Sequence, residues 1–338
     1  MSTRAEAQPK VRVTVGTPSN DGSARGTTAR LSGAIFYLNS ILSLLISWKF
    51  IKTWKQLLSK SWLLTESNTG LYIPPEKNIK TRLTFVSCFV MFCGCVEHLL
   101  SMLAATGFDC PLSEYISRYV LSSHKFMIQF HEYNEWVGML IFIMSNIATI
   151  LWNFQDLIVI LTSMGLASRY HRLNLFVKEF VTLQKHHFSI KNGFNSDLNF
   201  SIVQTWRKVR IAYVQQADLV RKVEKHLGVL LILCNLNNFF FICLQLFLGL
   251  RKSEGSTINR VYYFVSLGWL MFRACSVVLA AADVNLHSQM ALTTICECPS
   301  SRYNVEVKRL KYQLINDEIV LSALGLFFLN RHMLLEVG

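Results

Sequence analysis

The stretch VGMLIFIMSNIATILWNFQDLIVILTSMGLASRY, residues 137–170, decides the fold. From Val137 to Ser168 its only charge is Asp156. That run of about 32 residues would be roughly 48 Å long as a helix, where about 20 apolar residues are enough to cross a bilayer. Asn146, Thr149, Asn153 and Asp156 follow at intervals of three, four and three, so they form one polar stripe along the helix. A stripe of that kind in a lipid-soluble helix must face protein or water. The stretch therefore predicts an all-α integral membrane protein in which this helix is one member of a multi-span bundle.

Four further stretches, about 31–48, 82–106, 227–250 and 261–282, are apolar enough to span, the first only marginally, so about five spans are expected. Bulk composition agrees. The 338 residues are 51% hydrophobic and 16% charged, too apolar for an ordinary soluble globule. The net charge of +13 comes with no zinc-finger, helix-turn-helix or RNA-binding motif, and it is concentrated in particular connections. Nucleic acid is excluded as a partner. Of the nine cysteines, Cys88, Cys93, Cys95, Cys234, Cys243 and Cys275 lie in apolar runs and read as packing thiols. Cys296 and Cys298 form a C-x-C with no second ligand pair at zinc spacing, so neither a metal site nor a cofactor is expected.

The connections set orientation. Residues 49–81 carry Lys49, Lys52, Lys55, Lys60, Lys77 and Lys80, and 169–226 carries eleven Lys and Arg, whereas 107–136 has only Arg118 and Lys125. By the positive-inside rule 49–81, 169–226 and 283–338 are cytoplasmic. Five spans with a cytoplasmic C-terminal part would put the N-terminus outside, yet residues 1–30 carry Arg4, Lys10, Arg12, Arg25 and Arg30. Either the first span is not a full crossing or a span is missing ahead of it. The expected organisation is a disordered segment 1–30, a bundle 31–320 with a cytoplasmic connection 169–226, and a last apolar segment 321–338.

Ionisable groups within spans mark candidate sites. Glu97 and His98 sit together in CGCVEHLLSML, and Glu97 shares a helix face with Ser101. Asn235, Asn238 and Gln245 share a face of the fourth span, and Arg273 lies near the middle of the fifth. Arg273 demands a counter-charge. Asp156 is nearest in expected depth, so Asn153, Asp156 and Arg273 are expected to form a structural ion-pair cluster. Glu97, His98, Trp136, Trp152, Gln245 and Trp269 form a candidate pocket: carboxylate and amide groups bond hydroxyls while aromatic faces stack on a sugar ring. The same types also serve as interhelical hydrogen-bonding groups. No G-x-S-x-G, H-E-x-x-H or Walker loop is present, and no enzyme activity is expected. A transporter for a small polar solute, with Glu97, Asp156 and Arg273 as coupling charges, is the alternative.

Several strings resemble one family when taken together: FYLNSILSLL (36–45), WKQLLSKSWLLTE (54–66), CVEHLLSML (95–103), WNFQDLIVILTSMGLASRYHRLN (152–174), NNFFFICLQLF (237–247) and IVLSALGLFFLNRHMLLEV (319–337). They resemble, in order, the insect gustatory receptors, and within them the sugar (sweet-taste) receptor group. The resemblance implies a seven-span subunit of a tetrameric, sugar-gated cation channel in the plasma membrane of a chemosensory dendrite, working with other gustatory receptor subunits. It implies a ligand pocket among the outer parts of the first six helices and a pore lined by a last helix with a Thr-Tyr…Gln-Phe signature. By the same resemblance 31–48 corresponds to the family's second span and 321–338 approaches a pore helix absent from this sequence. A chain without that helix is expected not to conduct alone.

Overall fold

The computed structural model describes residues 20–67, 70–124, 126–128, 131, 133–190, 196–250, 257–298 and 303–329. Nine α-helices follow one another in these residues: α1 (Asn20–Thr53), α2 (Ser59–Ser67), α3 (Ile79–Thr106), α4 (Tyr115–Ser123), α5 (Glu135–Ile190), α6 (Ser196–Leu250), α7 (Thr257–Gln289), α8 (Ala291–Cys296) and α9 (Val305–Asn316). A π-helical turn, Trp54–Leu58, joins α1 to α2. Among the described residues five helical stretches are long and apolar enough to cross a membrane. The chain is a multi-pass helical membrane protein.

α1 begins at Asn20, ahead of the expected start at 31, and runs on through the π-turn to Ser67. Residues 1–19 lie outside the described residues. Three serines set the contact between α1 and α5. Ser40, Ser43 and Ser47 recur at intervals of three and four, all buried, and Ser40 and Ser43 donate to the Ala148 and Leu151 carbonyls at 3.5 and 3.4 Å. Small hydroxyl residues let helix backbones approach closely in lipid. α3 meets α5 at Gly94, where an added Cβ would stand 2.8 Å from the Asn153 side chain. Any larger residue at that point would push Asn153 aside.

The connection 169–226 is largely helical, because α5 and α6 continue far past the bilayer. At 56 residues, α5 is roughly 84 Å long. The continuation is held by an interlocking apolar seam. Tyr170, Leu173, Val177 and Val181 on α5 and Trp206, Val209, Tyr213, Val220, Val223 and Leu227 on α6 are all buried. Each such side chain contributes roughly 1.5–3 kcal/mol when removed from water. This inner seam, joined by α7, α8 and α9, forms the main core, whereas the outer end has a small cluster of Met102, Tyr119, Val120, Ile128 and Ile141.

The apolar run at 321–329 is not helical. It folds back on itself, with Leu329 N–H donating to the Leu321 carbonyl at 3.1 Å and Ala323 N–H to the Phe327 carbonyl at 3.0 Å. The reversal uses left-handed backbone at Leu324 (φ 54°) and Gly325 (φ 75°). Leu321, Ala323 and Leu329 are fully buried, and the Glu224 carboxylate on α6 accepts from the Ser322 N–H and hydroxyl. Burying three apolar groups while satisfying the turn's amides outweighs the helical preference of the string. Residues 330–338, with Arg331 and His332, lie outside the described residues. Cys234 is a buried packing thiol, but Cys88, Cys95, Cys243 and Cys275 are exposed on helix surfaces rather than packed.

Candidate functional site

Two polar layers cross the bundle. The deeper one is built on Arg273 of α7. Its guanidinium donates to Asp156 Oδ2 from Nε at 2.9 Å and stands 2.7 Å from the same oxygen through Nη2. Nη1 donates to Asn153 Oδ1 at 3.1 Å, and Nη2 also reaches Asn238 Oδ1 at 3.3 Å. Asn238 returns its Nδ2 to Asp156 at 3.4 Å. Trp152 lies beneath the guanidinium carbon, 4.8 Å from its ring centroid, and donates Nε1 to Asn238 at 3.4 Å. Asp156, Asn153, Asn238 and Arg273 are each at most 3% exposed. A buried pair so completely bonded offsets its desolvation cost and fixes the relative register of α5, α6 and α7.

About two turns along α7, roughly 10 Å further out, lies the second layer. Ser266 is its hub: Gln245 donates Nε2 to Ser266 Oγ at 3.0 Å, and Ser266 donates to Glu97 Oε1 at 2.7 Å. Glu97 also forms the polar end of a groove between α3 and α7 of about 330 Å3, walled by Phe89, Phe92, Trp269 and Phe272. His98 faces the other way, toward α5, with Nδ1 3.3 Å from Thr149 Oγ1. Gln245 Oε1, Trp269 Nε1 and His98 Nε2 are all buried with no hydrogen-bond partner. The layer thus holds a carboxylate, aromatic walls and unspent donors and acceptors.

α4 covers this layer from the outer end. Tyr119 of α4 bonds Ser145 of α5 at 2.9 Å, and His124, just past α4, bonds Tyr37 of α1 at 2.9 Å. Burial pushes the His124 imidazole down to about 4, so it is neutral at physiological pH.

The candidate residues therefore separate. Glu97, Gln245 and Trp269 come together in the outer layer, with His98 beside them on the neighbouring face. Trp152 belongs to the deeper layer with Arg273, Asp156 and Asn153. Trp136, at the start of α5, is 83% exposed and touches neither layer. Ser266 is not among the residues expected from the sequence, although it lies seven residues before Arg273 and so on the same helix face. Tyr37 and Tyr119 give no periodic signal, whereas Ser145, four residues before Thr149, extends the polar stripe by one turn.

The fold and the layered interior define a polytopic helical membrane protein with a polar, aromatic-walled interior between its spans. Comparison with known proteins gives the family. A family model described as Trehalose receptor matches residues 26–338, and the chain belongs to that family. Among relatives from Drosophila melanogaster, Gustatory receptor for sugar taste 64a is 24% identical over 321 residues, covering 91% of this chain and 66% of the relative. Gustatory receptor for sugar taste 64f is 26% identical over 311 residues, 90% of this chain and 62% of the relative. Gustatory receptor 5a for trehalose is 24% identical over 302 residues, 87% of this chain and 64% of the relative. The chain thus spans just under two thirds of the length of these relatives. The insect olfactory receptor OR5 from Machilis hrabei, solved in complex with eugenol, shares the fold with a TM-score of 0.60 at 10% identity, over 91% of this chain and 78% of that one.

Proposed function

We propose that this chain is a subunit of a sugar-gated cation channel for sweet taste, residing in the plasma membrane of a chemosensory neuron and assembling with further receptor subunits. Its family and the sugar-taste names of its relatives support the class. The observation that carries the ligand reading is the outer layer, where Glu97, Ser266 and Gln245 form one hydrogen-bonded run beside Trp269 and keep buried atoms unbonded. Sugar hydroxyls both donate and accept, so they satisfy a carboxylate, an amide oxygen and an indole N–H together, and an aromatic ring covers the sugar's C–H face. Occupying the layer draws α3, α6 and α7 together, a differential contact by which a ligand shifts a bundle between two arrangements. The deeper Arg273 layer holds α6 and α7 in register against α5 while they move.

The test is the current evoked by trehalose and other disaccharides from the full-length receptor co-expressed with a second sugar-receptor subunit in a cell without taste receptors of its own. Glu97→Gln and Gln245→Ala are each expected to shift the half-maximal sugar concentration about tenfold upward, the loss of roughly one good hydrogen bond. Unchanged dose-response curves in both variants, at normal surface expression, would remove this layer from sugar recognition.

A further inference from the structure

A second site lies on the far side of α1 and α6. A groove of about 470 Å3 opens there toward the membrane, with walls of Leu42, Leu236 and Phe240 and, lining it, Asn39 and Asn237. Both asparagines are at least 95% buried, at 4% and 5% exposure, and neither amide has a hydrogen-bond partner at oxygen or nitrogen. Unbonded buried amides are costly wherever water is absent. Asn237 precedes Asn238, which bonds the Asp156–Arg273 pair, and Asn39 precedes Ser40, which meets Ala148 midway along the apolar run of α5, so both amides lie within the span, where lipid tails offer no hydrogen bonds.

The dimensions narrow the occupant. The lining residues run from Ile35 to Leu42 on α1 and from Leu233 to Cys243 on α6, roughly 10 and 15 Å of helix. The groove's volume falls within the range of small-molecule sites, apolar-walled with a few fixed polar groups. The two grooves share no lining residue, and Phe36 and Phe241, chain neighbours of the lining residues Ile35 and Phe240, pack on Trp152 at 5.7 and 4.7 Å between ring centroids. An aromatic wall therefore stands between this groove and the Arg273 layer.

We propose that the α1–α6 groove is a lateral binding site for a neutral lipophilic molecule bearing a hydroxyl or carbonyl, entered from the bilayer and distinct from the sugar layer. Such a molecule dissolves in the membrane, fills the apolar walls and gives the two amides a partner. A sugar is too polar to reach it by that route.

The probe is a 4-alkylphenol carrying a diazirine, photoactivated with the full-length receptor in its membrane, the labelled peptides being located by mass spectrometry. Label is expected on residues 35–42 and 233–243, competed by the unlabelled phenol. The double variant Asn39→Leu with Asn237→Leu is expected to cut it about tenfold. Leu42→Trp, which fills the groove and leaves both amides in place, is expected to do the same. Size-exclusion profiles check folding, and replacing unbonded amides by leucine is not expected to lower thermal stability. Label that persists in the double variant, or that falls elsewhere, overturns the proposal. So does a disulfide between copies bearing Leu38→Cys or Leu236→Cys, since it would show that a neighbouring chain's helix covers the groove. The sugar dose-response is read separately, so the two sites stand or fall independently.

Discussion

Arg273 shows how one side chain organises three helices. It stacks on Trp152 and bonds Asp156, Asn153 and Asn238, so its partners come from α5 and α6 together. Removing only one charge leaves the other buried and unpaired, a loss of roughly 3–5 kcal/mol, whereas replacing both with apolar groups is often close to neutral. Arg273→Met and Asp156→Leu are therefore each expected to abolish most folded receptor at the cell surface, and the double variant to recover much of it. A charge swap is expected to recover less, because Trp152 and Asn153 are placed for a guanidinium arriving from α7. Surface biotinylation and fluorescence-detected size exclusion read both effects. A double variant no better than the worse single would sink the account.

At the scale of elements, the decisive contact is the reversed loop 321–329 against α6. Gly228 makes it possible: a Cβ there would stand 3.1 Å from Leu324 Cδ2 and 3.2 Å from its backbone nitrogen. Gly228→Ala gains about 1 kcal/mol of helix propensity yet presses on the loop. The expected outcome is a loop cut faster by protease while α6 keeps its helicity; equal cutting rates in both proteins would refute the contact's importance. The same elements show what the sequence could and could not reveal. Five membrane helices were legible because lipid demands long apolar runs, and the Asn146 to Asp156 stripe announced an inward face. The inner extensions are legible in principle, since Tyr170, Leu173, Val177 and Val181 repeat at three and four, but eleven basic residues interspersed through the same connection mask that period. The loop was hidden because LSALGLFFL has helical composition, and only the tertiary partners Glu224 and Gly228 decide against it. In the site, residue types at helical spacing placed Glu97, Gln245 and Trp269 together, whereas Ser266, joining them, carries too common a side chain to stand out.

The whole molecule divides its labour along the membrane normal. The outer half holds only a small apolar cluster beside its polar layer, while the inner half carries the main apolar core and a set of ion pairs tying distant segments to it. Two of these depend on pH in a predictable direction. At Glu306 of α9 the hydrogen bond from Arg210 of α6, at 2.7 Å, together with Arg309 outweighs burial and holds the carboxyl below its ordinary value of 4.5. At Glu76 burial pushes upward, but bonds from Ser168 of α5 and Arg82 outweigh it, and that carboxyl is also held low. A carboxylate whose folded value is depressed binds its proton more readily when unfolded. Its stabilisation is complete above 4.5 and is lost as the pH falls through the lower folded value. Acid should therefore loosen the inner half first at the α6–α9 contact. The melting temperature in detergent is expected to fall between pH 7 and pH 3.5, and Glu306→Gln to reduce that fall while lowering stability at pH 7. Equal pH slopes in the two proteins would show that Glu306 titrates without linkage to the fold, and the inner half would then owe its cohesion to the apolar seam alone.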